Sequence, residues 1–193
     1  ACAAITLVLV HSPAFAQETG ARQSRGERRP AGPVRVSDHS LVDDHGPFLG
    51  LGASYFTALW RCRHDRDRLD SDLAFLSKQG FNYYRMLSMV GYYGAWNGLE
   101  IAPVSFQSRE GKRVEAWPDY WEQLGELIDI AYDRYGLRTQ ITVFADAQLM
   151  PEKSALIRHM DRILSKIVPG REAKIILLEV ANEAWQNGFP GDQ

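Results

Sequence analysis

The feature that most constrains this chain is the run Ile175-Ile176-Leu177-Leu178, which is apolar on both parities. A strand with one wet face alternates, whereas a parallel strand covered on both sides does not. The run predicts such a strand over Lys174 to Ala181, and three earlier segments share its setting. Pro47 to Ser54 reads as a first strand, with Gly50 and Gly52 permitting close backbone packing. Phe81 to Val90 reads as the second and Leu137 to Ala145 as the third. Helices lie between them. Leu69 to Gln79 presents Leu69, Leu73, Phe75 and Leu76 on an apolar face, with Asp65 or Asp67 as its cap and Gly80 after its end. Trp117 to Tyr135 repeats Tyr120, Trp121, Leu124, Leu127, Ile128, Ala131 and Tyr135 at three and four, with Gly136 as C-cap. Trp117 and Trp121 fall on that stripe and are assigned to the core. Pro151 to Val168 carries Leu156, Ile157, Met160, Ile163, Leu164 and Ile167 on one side and stops at Pro169-Gly170. Before the first strand, Val34-Arg35-Val36 and Ser40-Leu41-Val42 form a small hairpin closed by Asp43-Asp44-His45-Gly46. A long loop fills Gly91 to Ala116.

Four strands separated by helices imply parallel pairing through right-handed crossovers. Two α/β architectures fit: an open doubly wound sheet and part of a (β/α)8 TIM barrel. A whole barrel takes about 250 residues, and this chain has 193. It begins without Met and ends in the loop-like Gly188 to Gln193. The expectation is a barrel truncated to about its first four β/α units.

The N-terminus reads as an address. Ala1 to Val10 is almost wholly apolar and Ala14-Phe15-Ala16 follows, so residues 1–16 are taken as a signal-peptide remnant of a secreted or periplasmic protein. A short N-terminal strand is the alternative. The run is too short for a bilayer span, which needs about 20 residues. Residues 17–33, rich in Arg, Gly, Glu and Pro, are taken as a solvated linker, because no aromatics interleave their charges. Residues 34–193 form the folded part. With Cys2 removed, Cys62 stands alone and is expected to be buried.

A formal charge of −2 supplies no global basic field for nucleic acid or an anionic membrane. No cofactor is expected. Gly50-Leu51-Gly52 is a partial dinucleotide motif with Tyr55 in the third glycine's place, and there is no phosphate loop or zinc-type His-Glu-x-x-His. His39, His45 and His64 lie near Asp residues at no common metal spacing, so no metal is expected.

In both architectures function lies at the C-terminal strand ends. There the sequence places Arg85 and Ser88, then Asp146 and Gln148, then Asn182-Glu183 with Ala184-Trp185 behind them. Glu183 shares a strand parity with Glu179 and Ala181. Tyr55, Phe56, Tyr92, Tyr93, Trp96 and Trp185 fall on or after strand ends. Aromatic faces pack on the C–H faces of sugar rings, and Trp96 and Trp185 are the candidate platforms.

The block Leu178-Glu179-Val180-Ala181-Asn182-Glu183-Ala184-Trp185 resembles the fourth-strand signature of cellulase-like retaining glycoside hydrolases, family 5 and its close relatives. Phe48-Leu49-Gly50-Leu51-Gly52 and Gln79-Gly80-Phe81-Asn82 are also similar to members, and the likeness covers roughly residues 42–193. It departs at Ala184, where many members have Pro, and at Asp146-Ala147-Gln148, where many have a His. The resemblance implies Glu183 as general acid/base, Asn182 as ligand of the sugar 2-hydroxyl, and Arg85 as support for the nucleophile carboxylate. Asp146 is a further substrate-binding candidate. The nucleophile it implies is a Glu on the seventh strand, beyond Gln193. The implied activity is retaining hydrolysis of a β-linked glucan, mannan or related glycoside, with the piece inactive alone. Retention needs two carboxyl groups about 5 Å apart.

Two rivals stay open. One is a non-catalytic carbohydrate-binding protein on the same scaffold. The other is an unrelated open-sheet enzyme in which Glu183 caps a helix, Arg85 pairs structurally with Glu179, and Asp146 caps the helix that follows it. Four strands alone leave two open edges and an uncovered inner face, so copies are expected to associate or aggregate.

Overall fold

The computed structural model describes residues 30–91, 98–108 and 110–189. The signal remnant, residues 17–29 of the linker, Tyr92, Tyr93 and the candidate platform Trp96 lie outside them.

The described chain opens with β1 (Arg35–Ser37), β2 (Ser40–Asp43) and β3 (Gly46–Pro47), paired antiparallel in that order. The first turn is Asp38-His39, with Asp38 in the left-handed region at φ 51°. Asp and Asn tolerate that conformation better than other non-glycine residues. The expected closing residues instead form the second turn, from β2 into β3, where Asp43 pairs with Gly46.

Next come β4 (Gly52–Ser54), α1 (Ala58–His64), α2 (Arg66–Lys78) and β5 (Tyr83–Leu87). The long loop holds a short hairpin, β6 (Phe106–Gln107) with β7 (Arg113–Val114). Then follow α3 (Tyr120–Tyr135), β8 (Arg138–Phe144), α4 (Lys153–Arg162) with a wider π turn over Ile163–Ile167, and β9 (Ile175–Ala181). Asp65 separates α1 from α2 and caps the latter, accepting from the Arg68 N–H at 3.4 Å. Gly136 ends α3 at φ 68°, where a side chain would be strained. None of the helices among the described residues is long and apolar enough to cross a membrane.

The main sheet is parallel, in the order β4-β5-β8-β9. Consecutive strands are neighbours and the direction never reverses among the described residues. Crossovers of one hand then place the helices on one face, as in a barrel wall, whereas a doubly wound sheet reverses. The strand faces agree. Tyr84, Met86, Thr139, Ile141 and Val143 are fully buried, beneath α1 and α3. The opposite parity carries Tyr83, Arg85, Gln140 and Glu179, all partly exposed. Burial of Ile175 to Leu178 on both faces is not met. Leu177 is half-exposed because nothing described covers the inner face it shares with Glu179, and Val180 is half-exposed on the other face because β9 is an edge of the described sheet.

The N-terminal strand ends are sealed by the β1–β3 unit. Arg138, at the start of β8, pairs with Asp43 at 3.0 Å and donates to the carbonyls of Ala31, Gly32 and Ala173. Its guanidinium also lies 4.9 Å from the Phe48 ring. Cys62 is buried as expected, and burial pushes its thiol up to about 12. Trp117 and Trp121 pack in the core, also as expected.

Candidate active site

At the C-terminal ends of the strands lies an open cleft of about 490 Å³. Each strand of the sheet supplies part of it. Phe56 follows β4, Leu87 ends β5 with Val90 beyond it, and Ala145-Asp146 follow β8. Asn182, Glu183 and Gln186 follow β9. One wall is therefore apolar and the other polar.

Glu183 lines the cleft from an exposed turn. It is one of two non-glycine residues with positive φ among those described, at 42°. An L-residue held there costs about 1–2 kcal/mol, and such strain clusters at functional sites. None of the described helices begins at Glu183. The segment after it winds through irregular turns, with the Gln186 N–H donating to the Glu183 carbonyl at 2.8 Å.

Arg85 and Asn182 are joined. The Arg85 Nη2 donates to Asn182 Oδ1 at 2.9 Å, which leaves the Asn182 side-chain N–H2 as a donor. The same guanidinium grips Glu179 in a two-pronged pair at 2.6 and 2.8 Å. Glu179 also accepts from Thr142 Oγ1 at 2.6 Å and Gln140 Nε2 at 3.1 Å. Burial pushes the Glu179 pKa up, but the Arg85 pair and the other two donors outweigh it and hold the carboxyl below its usual range. Glu179 is thus an ionised acceptor beneath the site, and Arg85 faces it rather than open solvent.

Asp146 is buried, and its Oδ2 accepts from the Gly91 N–H at 2.7 Å. It precedes the 3-10 turn Ala147–Leu149 without a side-chain capping bond. The expected alternative role as a helix cap is therefore corrected: the carboxylate ties down the loop after β5. Trp185 is 71% exposed and stands outside the cleft lining. Ser88 turns inward and donates to the Val143 carbonyl at 2.6 Å. Tyr55 donates to Asp72, away from the site. No group of three His, Cys, Asp or Glu side chains is arranged to hold a metal among the described residues.

Sequence reasoning missed Gln186 and Asn187. The Asn187 side chain accepts from the Ala147 N–H and donates to the Asn182 carbonyl, so it links the loops after β8 and β9. Nothing in its spacing signals that role, which depends on two loops meeting in space.

The fold of the described residues has a likeness among solved structures. A glycoside hydrolase family 5 structure from Bacteroides vulgatus aligns with a TM-score of 0.51 and 20% identity, over 76% of this chain and 32% of that one. The likeness shows the fold. The chain spans about a third of that protein's length. A glycoside hydrolase family 5 mannosidase from Rhizomucor miehei aligns at a TM-score of 0.43 and 14% identity, over 77% of this chain and 41% of its own. A mutant family 5 mannosidase from the same organism, in complex with mannosyl-fructose, gives 0.43 and 15%, over 71% and 39%. The Bacteroides vulgatus structure carries the family name that the Asn182-Glu183 block resembles. No protein-family model matches the sequence, and curated proteins give no match.

Proposed function

We propose that this chain is the N-terminal part of a retaining glycoside hydrolase acting on a β-linked oligo- or polysaccharide. One observation carries the reading. Asn182-Glu183 ends β9 beside a cleft to which four consecutive parallel strands contribute, and Arg85 fixes Asn182 from below.

In this reading the Glu183 carboxyl protonates the leaving glycosidic oxygen and afterwards takes a proton from the attacking water. The Asn182 amide N–H donates to the sugar hydroxyl next to the anomeric carbon. A carboxylate on a later strand of the barrel, about 5 Å away, attacks the anomeric carbon. Phe56, Leu87 and Val90 form the apolar wall on which a sugar face rests, and exposed Trp185 is a platform at the margin. Ala1 to Val10, with Ala14-Phe15-Ala16 behind it, supports export from the cytoplasm.

The test uses the full-length gene product and a β-linked oligosaccharide. General acid/base catalysis is worth about 10²–10⁴-fold. Glu183→Gln should lower kcat/KM by that order, while binding measured by calorimetry stays within about twofold, since uniform binding does not need the proton. Unchanged turnover would remove the acid/base assignment. Binding without any turnover by the unsubstituted protein would make it a carbohydrate-binding scaffold instead.

A further inference from the structure

We propose that Asn187 is a positioning residue for Glu183, a role that rests on the glycosidase reading above. Asn187 is buried, 8% exposed, in the turns that follow β9. Its Oδ1 accepts from the Ala147 N–H at 2.7 Å. Its Nδ2 donates to the Asn182 carbonyl at 2.5 Å. The Ala147 N–H belongs to the peptide that joins Asp146 to Ala147. The Asn182 carbonyl belongs to the peptide that joins Asn182 to Glu183. One planar amide therefore clamps the two peptide units attached to the two carboxyl residues of the cleft.

The clamp also accounts for the backbone of Glu183. A left-handed φ of 42° persists in a non-glycine residue only where its surroundings over-determine it. The peptide before Glu183 is held by Asn187 Nδ2, and the carbonyl after it accepts from the Gln186 N–H at 2.8 Å. A further strap, Gln148 Nε2 to the Gln186 carbonyl at 2.7 Å, holds the same turn to the loop after β8. Asparagine suits the position because it offers a donor and an acceptor on one short rigid group. Aspartate has no donor for the Asn182 carbonyl, and leucine has neither function.

A general acid must lie within hydrogen-bond reach of the oxygen it protonates, and a misplacement of about 1 Å can cost about 100-fold. The experiment compares Asn187→Ala and Glu183→Gln in the full-length gene product. Two substrates are used: a β-linked oligosaccharide and an aryl β-glycoside with an activated leaving group that needs little protonation. Asn187→Ala is expected to lower kcat on the oligosaccharide by about 10–100-fold. KM on the oligosaccharide should stay within about twofold, and kcat/KM on the activated glycoside, which reports the first step alone, should be far less affected. The basic limb of the kcat/KM profile, which reports the catalytic acid, should move. A purely structural Asn187 would lower Tm and leave both the leaving-group dependence and the pH profile unchanged.

Where Glu183→Gln abolishes oligosaccharide turnover and Asn187→Ala leaves both readouts unchanged, the positioning role is overturned and the glycosidase reading stands. Where Glu183→Gln leaves turnover intact, the glycosidase reading falls and this proposal with it. Should Asn187→Ala fail to fold, Asn187→Asp carries the same test. It keeps the volume and the acceptor for Ala147 but sets an oxygen against the Asn182 carbonyl, so the same loss in kcat is expected.

Discussion

Two arginine–carboxylate pairs lie at different depths of this parallel sheet, and their difference separates scaffold from site. Arg138 and Asp43 meet at the N-terminal strand ends, with side chains 1% and 7% exposed. Arg85 and Glu179 meet on the inner face towards the C-terminal ends, at 18% and 27%. The bonding of the lower pair is internal: carbonyls of Ala31, Gly32 and Ala173, and the His45 N–H on Asp43. The upper pair shares its guanidinium with Asn182, which lines the cleft. A sealed pair fixes one arrangement of the chain. A partly exposed pair holds a group that remains available to a ligand.

The largest stability effect should come from breaking the lower pair. Arg138→Met leaves Asp43 buried without its cation, and breaking a buried pair from one side costs about 3–5 kcal/mol. Urea unfolding should show that loss, and the double variant Arg138→Met/Asp43→Leu should recover much of it. A loss under about 1 kcal/mol would mean that the lower pair is no more structural than a surface one.

A second test separates the two ends by pH. His159 of α4 is buried against Tyr120, Trp121 and Phe144, and Phe144 in turn stacks on Phe189 of the loop after β9. Burial, with a smaller push from the Arg162 charge, drops its pKa from 6.5 to about 4. The folded state prefers the neutral ring, so stability is full above pH 6.5 and falls as the unfolded chain takes up its proton. The loss stops growing near pH 4, at about 3 kcal/mol. Asp43 behaves differently. Burial pushes its carboxyl up, but the His45 N–H and Arg138 outweigh that and hold it below 3.8, so its contribution is lost only as pH falls through that lowered value. Acid should therefore loosen the upper end first. Protection factors of the Gln186 and Asn187 amides, corrected for the slower intrinsic exchange in acid, should fall between pH 6.5 and 4 while that of the Arg138 amide holds. His159→Phe should abolish that slope; a slope that persisted would assign it to another group.

The same contrast shows what was legible in the sequence. The four parallel strands and α3 were readable from their apolar residues, on α3 as the period of Leu124, Leu127, Ile128 and Ala131, whereas the β6–β7 hairpin was not. Helix α1 was not, since Ala58, Leu59 and Cys62 face the core from a segment of 7 residues, too short to write a helical period. The strand order that favours a barrel wall was not legible either, because both architectures write the same strand–helix alternation. At the site, Asn182-Glu183, Arg85 and Asp146 could be placed by their position at strand ends. Their partners could not. Asp146 meets Gly91 and Asn187 meets Ala147 across gaps of 55 and 40 residues, and no local pattern encodes such a meeting.

The smallest stability effect, and the most informative one, should come from the upper pair. Glu179→Gln keeps the shape and an acceptor but removes the charge that faces Arg85. Hydrogen bonds to charged groups are worth about 1.5–3 kcal/mol, and the partial exposure of both side chains places the expected loss near the lower figure. The sign with pH follows from the lowered pKa of Glu179. Its contribution is present above the usual 4.5 and disappears as pH falls through the lowered folded value, so the substituted protein should match the parent in strong acid. Function should respond more than stability. Arg85 freed from Glu179 can turn from Asn182, and a displaced Asn182 amide would lose the hold on a sugar hydroxyl proposed for it above. If Glu179→Gln lowers kcat/KM on the full-length gene product by about 10-fold or more while unfolding shifts by only about 1 kcal/mol, the upper pair belongs to the site. Parallel losses of equal size in stability and activity would make it a second copy of the lower pair.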